Sequence, residues 1–247
     1  PIASSAASDV YKRQDPKSAS ALAVAFQRGL KQAGVLGCAK HFPGHGDTTS
    51  DSHLDLPVLP HSRERLEQIE LPPFRAAIAA GVDSVMTAHL VLPKLDPQQP
   101  ATLSKSVLTN LLRQELGFHG LVVTDALVME AISARHGPAE AAVLAFEAGA
   151  DLILMPADAD AAIDGLCEGF SSGRLPLERL KQSRQRRAHA LASIPTSTTS
   201  GPIVTAAEQG LEAELVRHSI TIGDAAVRPQ AGINLVRVDA MVPSAAA

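Results

Sequence analysis

The sequence predicts an α/β fold, part of a (β/α)8 barrel of the TIM type, and three observations point to it. Four short apolar segments alternate with segments in which apolar residues recur at helical spacing. The four segments are apolar throughout, which is typical of parallel strands that helices cover on both faces. The unit repeats every roughly three to four dozen residues, a length that suits a barrel. No Gly-x-Gly-x-x-Gly motif follows the first strand, which argues against a dinucleotide-binding open sheet.

The elements follow one another in a regular order. The first helix begins at Asp15-Pro16, an N-cap residue followed by a proline suited to a first turn, and carries Leu22 and Phe26 at helical spacing. The predicted helices are 15–34, 62–80 with an interruption at Pro72-Pro73, 104–116, 138–148, 158–170 and 176–192. The predicted strands are 35–42, 84–90, 120–125 and 151–155.

Four segments of different character are predicted along the chain. Residues 1–14 lack periodicity and are interpreted as a non-native or disordered leader, and 15–194 form the C-terminal part of the barrel. Residues 195–203 are a linker rich in Ser, Thr, Pro and Gly, and 204–247 begin a second α/β domain that is cut short. A closed barrel needs eight strands and four are visible, so we expect either that the upstream strands of the barrel are missing or that the sheet is open.

Composition argues against several classes of protein. The chain has 26 acidic and 22 basic residues, a formal charge of −4, which gives no basic excess for a nucleic-acid partner. No uncharged apolar run reaches the roughly 18 residues of a membrane span. Cys38 and Cys167 make no disulfide framework, and their apolar surroundings predict two buried thiols.

Ionisable residues stand at the ends of three predicted strands. Lys40 and His41 end the first, His89 the second and Asp125 the third. In a barrel, residues at the C-terminal strand ends meet at one mouth, where function resides. Such residues can also simply be solvated, but an apolar segment continues directly after Asp125, which favours a functional role there. The long loop after the first strand adds His45, Asp47, Asp51, His53 and Asp55.

Two segments carry a specific motif. Residues 40–48 read KHFPGHGDT and are followed by Asp51-Ser52-His53, and residues 120–131 read GLVVTDALVMEA. Residues 86–89 (MTAH) and 100–104 (PATLS) fit the same pattern. Together they resemble glycoside hydrolase family 3, most closely its β-N-acetylglucosaminidase branch, and the resemblance extends over 15–192.

The resemblance implies a retaining exo-glycosidase that removes terminal, non-reducing β-linked N-acetylglucosamine from muropeptide or chitin-type sugars. Asp125 is then the nucleophile, His53 the acid/base held by Asp51, and Lys40 and His41 the sugar-binding pair. An imidazole beside a carboxylate suits proton transfer near neutral pH. The resemblance further implies that no cofactor or metal is needed, that the partner is a small carbohydrate, and that the enzyme works in the cytoplasm.

Four alternatives stay open. A phosphorylase acting on the same glycosides would tolerate a histidine acid/base, because an imidazole does not repel phosphate. A β-glucosidase of the same family is disfavoured by Asp51-Ser52-His53, a pattern that such branches normally lack. A metal-dependent barrel hydrolase would use His41 and His45, although the glycine-rich segment between them suits a helical metal site poorly. The fourth alternative is a sugar-binding piece without activity.

Overall fold

The computed structural model describes residues 15–48 and 56–194, together with Gly210, Leu211 and Glu214. The larger of two compact units spans Tyr11–Ser200, and the fold described below belongs to it. The predicted leader and linker, and nearly all of the predicted second domain, lie outside the described residues. Their boundaries therefore stay predictions.

The described part alternates strands and helices in the predicted order. The strands are β1 Cys38–Phe42, β2 Ser84–Thr87, β3 Val91–Leu92, β4 Asp96–Pro100 and β5 Leu121–Val123. The helices are α1 Pro16–Gln32, α2 Arg63–Gln68, α3 Leu71–Ala79, α4 Glu130–Ser133, α5 Pro138–Ala148, α6 Ala159–Ser171 and α7 Leu177–Ala192. A 3₁₀ turn covers Ala101–Leu103, and the predicted helix 104–116 is a π-helix over Ser106–Glu115.

The main sheet is parallel, with the strand order β1-β2-β5. Leu152 extends it by a parallel bridge to Val123. Helices lie between the successive strands of this sheet, and each of its strands pairs with the next strand of the sheet along the sequence. This one-directional order is the arrangement of neighbouring units in a barrel. The α/β prediction is therefore confirmed.

The fourth predicted strand, 151–155, is reduced to that single bridge. Thr124 N–H donates to the Leu152 carbonyl, but Leu154 N–H donates to Thr124 Oγ1 rather than to a backbone carbonyl. A side chain thus takes the place of the next ladder bond, and the strand ends early.

A hairpin that the sequence did not predict follows β2. Strands β3 and β4 pair antiparallel, and the Ala101 N–H after β4 donates to the Leu90 carbonyl at 2.8 Å. Asp96 Oδ1 accepts from the N–H groups of Gln98 and Gln99, and these two bonds form a local turn. The hairpin returns the chain to the C-terminal end of β2.

The predicted interruption of helix 62–80 is present, but it lies before the two prolines. Helix α2 ends with Gln68, and α3 begins at Leu71 with Pro72 in its first turn. Proline is tolerated in a first turn because the N–H it lacks has no helical acceptor there. The buried faces of α3 and the π-helix pack on the sheet, and the largest fully buried side chains of this core include Phe42, Leu59, Leu66, Leu71, Leu90, Leu108, Leu111, Leu112 and Ile132.

The burial of α1 and of the two cysteines differs from a simple interpretation of the sequence, and the prediction of two buried thiols is wrong. Leu22 and Phe26 on α1 are 60% and 72% exposed, and the residue that α1 buries is Gln27, whose Nε2 reaches the Gly81 carbonyl. Cys38 and Cys167 are exposed rather than buried. Cys38 lies on β1, which within the described residues pairs with β2 alone and is therefore an edge strand of the main sheet.

None of the helices in the described residues combines the length and apolar character needed to cross a bilayer.

Candidate active site

Asp125 lies two residues beyond β5, at the C-terminal edge of the sheet. Its own N–H donates to Thr87 Oγ1 at 3.3 Å, and the Ala126 N–H donates to its Oδ1 at 2.9 Å. One carboxylate oxygen is thereby held by the backbone. The side chain is half-buried, and its second oxygen, Oδ2, faces β1.

His41, on β1, brings its Nε2 to 3.7 Å from Asp125 Oδ2. Burial lowers the pKa of His41, and although Asp125 acts in the opposite direction, the nearby Lys40 and His45 lower it further. The imidazole is therefore neutral near neutral pH. A neutral imidazole offers one donor and one acceptor, which suits recognition of a sugar hydroxyl.

Lys40 and His45 lie close to this pair. Lys40 is exposed on β1, and its positive charge lowers the pKa of His41. The His45 ring, on the loop after β1, lies 6.4 Å from the His41 ring in an edge-on arrangement. The sheet edge thus brings together Asp125 and His41, with two further basic side chains at its rim.

His89 follows β2 and is 1% exposed. Its Nδ1 lies 2.8 Å from Thr102 Oγ1 and its Nε2 lies 2.9 Å from the Ala126 carbonyl. Thr102 Oγ1 in turn lies 2.8 Å from Thr87 Oγ1. Sequence reasoning missed both threonines, although they lie within the two short segments MTAH and PATLS that fit the motif.

Asp47, another candidate from the loop after β1, contacts His61 and Arg65. Its Oδ2 lies 2.9 Å from His61 Nε2 and 3.4 Å from an Arg65 nitrogen. Arg65 also pairs with the buried Glu70 at 3.1 Å. Asp47 therefore connects the loop after β1 to His61 and to α2.

The predicted acid/base pair, His53 and Asp51, lies outside the described residues, and so does Asp55. Their roles stay predictions. Among the residues that the structure does describe, no three His, Cys, Asp or Glu side chains converge as a metal site requires.

Comparison with known proteins gives this arrangement a family. The profile of the glycosyl hydrolase family 3 N-terminal domain matches residues 6–190. Beta-hexosaminidase A of Pseudoalteromonas piscicida is 36% identical over 234 residues, which cover 84% of this chain and 39% of that protein. The beta-hexosaminidase of Neisseria gonorrhoeae strain NCCP11945 is 41% identical over 158 residues, 64% of this chain and 43% of that protein. The chain thus spans about two fifths of the length of these curated relatives.

A solved structure agrees with both the fold and the family. The glycoside hydrolase family 3 beta-N-acetylglucosaminidase from Paenibacillus sp. str. FPU-7 superimposes with a TM-score of 0.72 at 47% identity, over 78% of this chain and 39% of that one. The family resemblance and the α/β barrel fold expected from the sequence are both confirmed. The chain belongs to glycosyl hydrolase family 3.

Proposed function

We propose that the protein to which this chain belongs is a retaining exo-glycosidase that hydrolyses terminal β-linked N-acetylglucosamine, with Asp125 as its nucleophile. One observation carries the proposal. A carboxylate stands at the C-terminal edge of a parallel sheet, one oxygen is held by the Ala126 N–H at 2.9 Å, and the other faces His41 at 3.7 Å. A retaining glycosidase needs such a fixed carboxylate beside the bound sugar.

The geometry distinguishes the two oxygens of Asp125. Because Oδ1 accepts the backbone N–H, Oδ2 is the oxygen with its lone pairs directed into the site. In the proposed reaction Oδ2 forms a bond to the anomeric carbon while the bond to the aglycone oxygen breaks. Water then attacks the glycosyl-enzyme and releases the sugar, which restores the free carboxylate.

The leaving oxygen needs a proton, and we assign its delivery to His53. Asp51, two residues earlier, stabilises the protonated imidazole and orients it. His53 donates its proton to the leaving oxygen and takes one back from the attacking water. This assignment rests on the family resemblance of the Asp51-Ser52-His53 motif.

Lys40 and His41 are proposed to bind the hydroxyl groups of the terminal sugar. Lys40 supplies only donors, and the neutral imidazole of His41 supplies a donor and an acceptor. Support comes from their position on β1, with His41 beside the nucleophile. We propose N-acetylglucosaminides of muropeptide or chitin type as natural substrates and the cytoplasm as the compartment, on the resemblance alone.

The test is release of nitrophenol from paired aryl β-N-acetylglucosaminide and β-glucoside substrates by the chain and by Asp125→Ala. We expect activity on the first substrate, no activity in the variant, and wild-type activity in Asp164→Ala, a control that removes an exposed carboxylate on α6. Preference for the glucoside would move the protein to the β-glucosidase branch. Activity that survives Asp125→Ala would refute the assignment of the nucleophile.

Product analysis separates hydrolysis from phosphorolysis. Run with and without inorganic phosphate, the reaction is expected to give free N-acetylglucosamine, released first as the β-anomer. A sugar phosphate that appears only when phosphate is present would favour the phosphorylase. His53→Ala is expected to lose roughly 100-fold or more on a substrate with a poor leaving group. A small effect there would contradict the His53 role.

A further inference from the structure

We propose that Thr87, Thr102 and His89 are positioning residues that hold the Asp125 carboxylate in place for attack. Their side-chain contacts reach the backbone on either side of the carboxylate, at the Asp125 N–H and the Ala126 carbonyl. The inference rests on the proposed function, because it gives a role in the reaction to residues that touch the nucleophile only indirectly.

The contacts form one continuous chain. The Asp125 N–H reaches Thr87 Oγ1 at 3.3 Å, and Thr87 Oγ1 lies 2.8 Å from Thr102 Oγ1. Thr102 Oγ1 lies 2.8 Å from His89 Nδ1, and His89 Nε2 lies 2.9 Å from the Ala126 carbonyl. The chain of contacts starts at the N–H of the nucleophile residue and ends at the carbonyl of the next residue. We call it the hydrogen-bond circuit.

The direction of each bond follows from its end groups. The Ala126 carbonyl only accepts, so His89 Nε2 carries a hydrogen. The single Thr102 hydrogen has two acceptors within reach, the Ala88 carbonyl at 3.1 Å and His89 Nδ1 at 2.8 Å. With that hydrogen directed to one of them, Thr102 Oγ1 accepts from the Thr87 hydroxyl.

The circuit acts just beyond β5, between two backbone bonds in which the Thr124 N–H donates to the Leu152 carbonyl and the Leu127 N–H to the Leu154 carbonyl. Strand β5 ends at Val123, two residues before Asp125. The circuit holds the N–H of Asp125 and the carbonyl of Ala126, and the Ala126 N–H between them holds Oδ1. Fixing both ends of this segment fixes the torsions that aim Oδ2. A catalytic carboxylate needs such support because small displacements of a reacting group are costly.

The competing explanation is that these side chains only satisfy one another inside the core. Thr87, His89 and Thr102 are all fully buried, and buried polar groups are normally hydrogen-bonded. A purely structural role predicts a loss of stability with kcat and KM unchanged in the folded fraction. A positioning role predicts a fall in kcat with KM preserved.

The kinetic test compares Thr102→Val with Thr102→Ser. Valine keeps the shape but removes the hydroxyl that links His89 to Thr87, and serine restores that hydroxyl. The matched control is Thr109→Val, because the Thr109 hydroxyl also donates to a backbone carbonyl, that of Ala148, over 2.7 Å. Thr109 is not part of the circuit. All variants are assayed well below their unfolding temperatures on the aryl N-acetylglucosaminide.

We expect Thr102→Val to lower kcat by about 10- to 100-fold with KM within about twofold, while Thr102→Ser and Thr109→Val stay near wild type. An unchanged kcat in Thr102→Val would overturn the positioning role and leave the proposed function intact. Failure of serine to restore kcat, or an equal loss in Thr109→Val, would also overturn it. A wild-type chain inactive on both aryl substrates would instead contradict the proposed function.

A second readout does not depend on activity. Nitrogen-15 spectra of the histidine side chains of the full chain report which ring nitrogen carries the hydrogen. We expect a hydrogen on His89 Nε2, with the Nδ1 shift and the amide shift of Asp125 both changed by Thr102→Val. A His89 ring without a hydrogen on Nε2, or an Asp125 amide shift left unchanged by the substitution, would overturn the circuit.

Discussion

Asp151→Asn should destabilise this fold more than any exposed charge substitution. The Asp151 carboxylate is 0% exposed and is the shared acceptor of three guanidinium groups. Its Oδ2 accepts from Arg113 on the π-helix and from the Val122 N–H on β5, at 2.6 and 3.0 Å. Its Oδ1 accepts from three side chains of α7, namely Arg179, Ser183 and Arg186. One carboxylate therefore ties the sheet to two helices.

The magnitude follows from what the substitution leaves behind. Asparagine keeps the shape and one acceptor oxygen, but it removes the negative charge among three positive ones. Burial lowers the pKa of Arg113 to about 10 even with Asp151 acting in the opposite direction, a sign of how strongly that cation depends on its partner. Breaking a buried ion pair costs about 3–5 kcal/mol. For a protein of this size that is a fall in Tm of roughly 6–20 °C.

Thermal unfolding followed by circular dichroism measures the effect. The control is Glu140→Gln, since Glu140 is an exposed carboxylate that accepts two bonds from Arg174 at 2.8 Å. Exposed pairs contribute about 0–1 kcal/mol, so the control should lower Tm by at most about 4 °C. Equal shifts in the two variants would refute the reasoning.

The pH dependence supplies a further check. Burial raises the pKa of Asp151, but Arg113, Ser183, the Val122 N–H and Arg179 together hold it below its usual value. Stability from a depressed carboxylate pKa is present above the unfolded value of about 3.9 and is lost as the pH falls through the folded value. The Tm gap between wild type and Asp151→Asn should therefore narrow below about pH 4. A constant gap would mean that the charge is not the source of the stability.

Three further predictions concern His41, two glycines and the two cysteines. His41→Ala removes an uncharged hydrogen-bonding group, so KM should rise by roughly 2- to 13-fold, corresponding to about 0.5–1.5 kcal/mol, and an unchanged KM would exclude His41 from sugar binding. Gly44→Ala should lower Tm, because Gly44 has φ +133° and an added Cβ would lie 2.7 Å from the Glu70 Cβ. Gly46→Ala is the control and should leave Tm unchanged, because no described atom lies within 4 Å of its added Cβ. Equal Tm values in the two variants would refute this prediction. Both cysteines are exposed, so a thiol reagent should modify two thiols without denaturant, and fewer would restore the prediction of buried thiols.

The sequence predicted the parts of this site that depend on one strand and its end. The positions of Lys40, His41 and Asp125 could be predicted because each stands at or near the end of an apolar strand, and parallel strands place such positions at one edge, whereas their roles stay predictions. Thr87 and Thr102 could not, because their contact joins residues 15 apart through a hairpin whose first strand has two residues and whose second strand is polar. Periodicity does not detect such a hairpin, since it supplies neither a run of apolar residues nor an alternation.

The same physics explains why the observed strands are shorter than the apolar segments. Side chains take over backbone bonds at the ends of the strands or of the single bridge: Thr124 Oγ1 accepts from the Leu154 N–H and Thr87 Oγ1 from the Asp125 N–H. Asp151, directly before the Leu152 bridge, accepts from the Val122 N–H of β5 through Oδ2. An apolar pattern therefore overestimates strand length where a polar side chain takes over a backbone bond. These replacements lie between neighbouring strands, and two of them lie at the C-terminal edge that carries Asp125. The regular ladder stops where the backbone must turn to present a carboxylate, and hydroxyl groups keep that turn fixed.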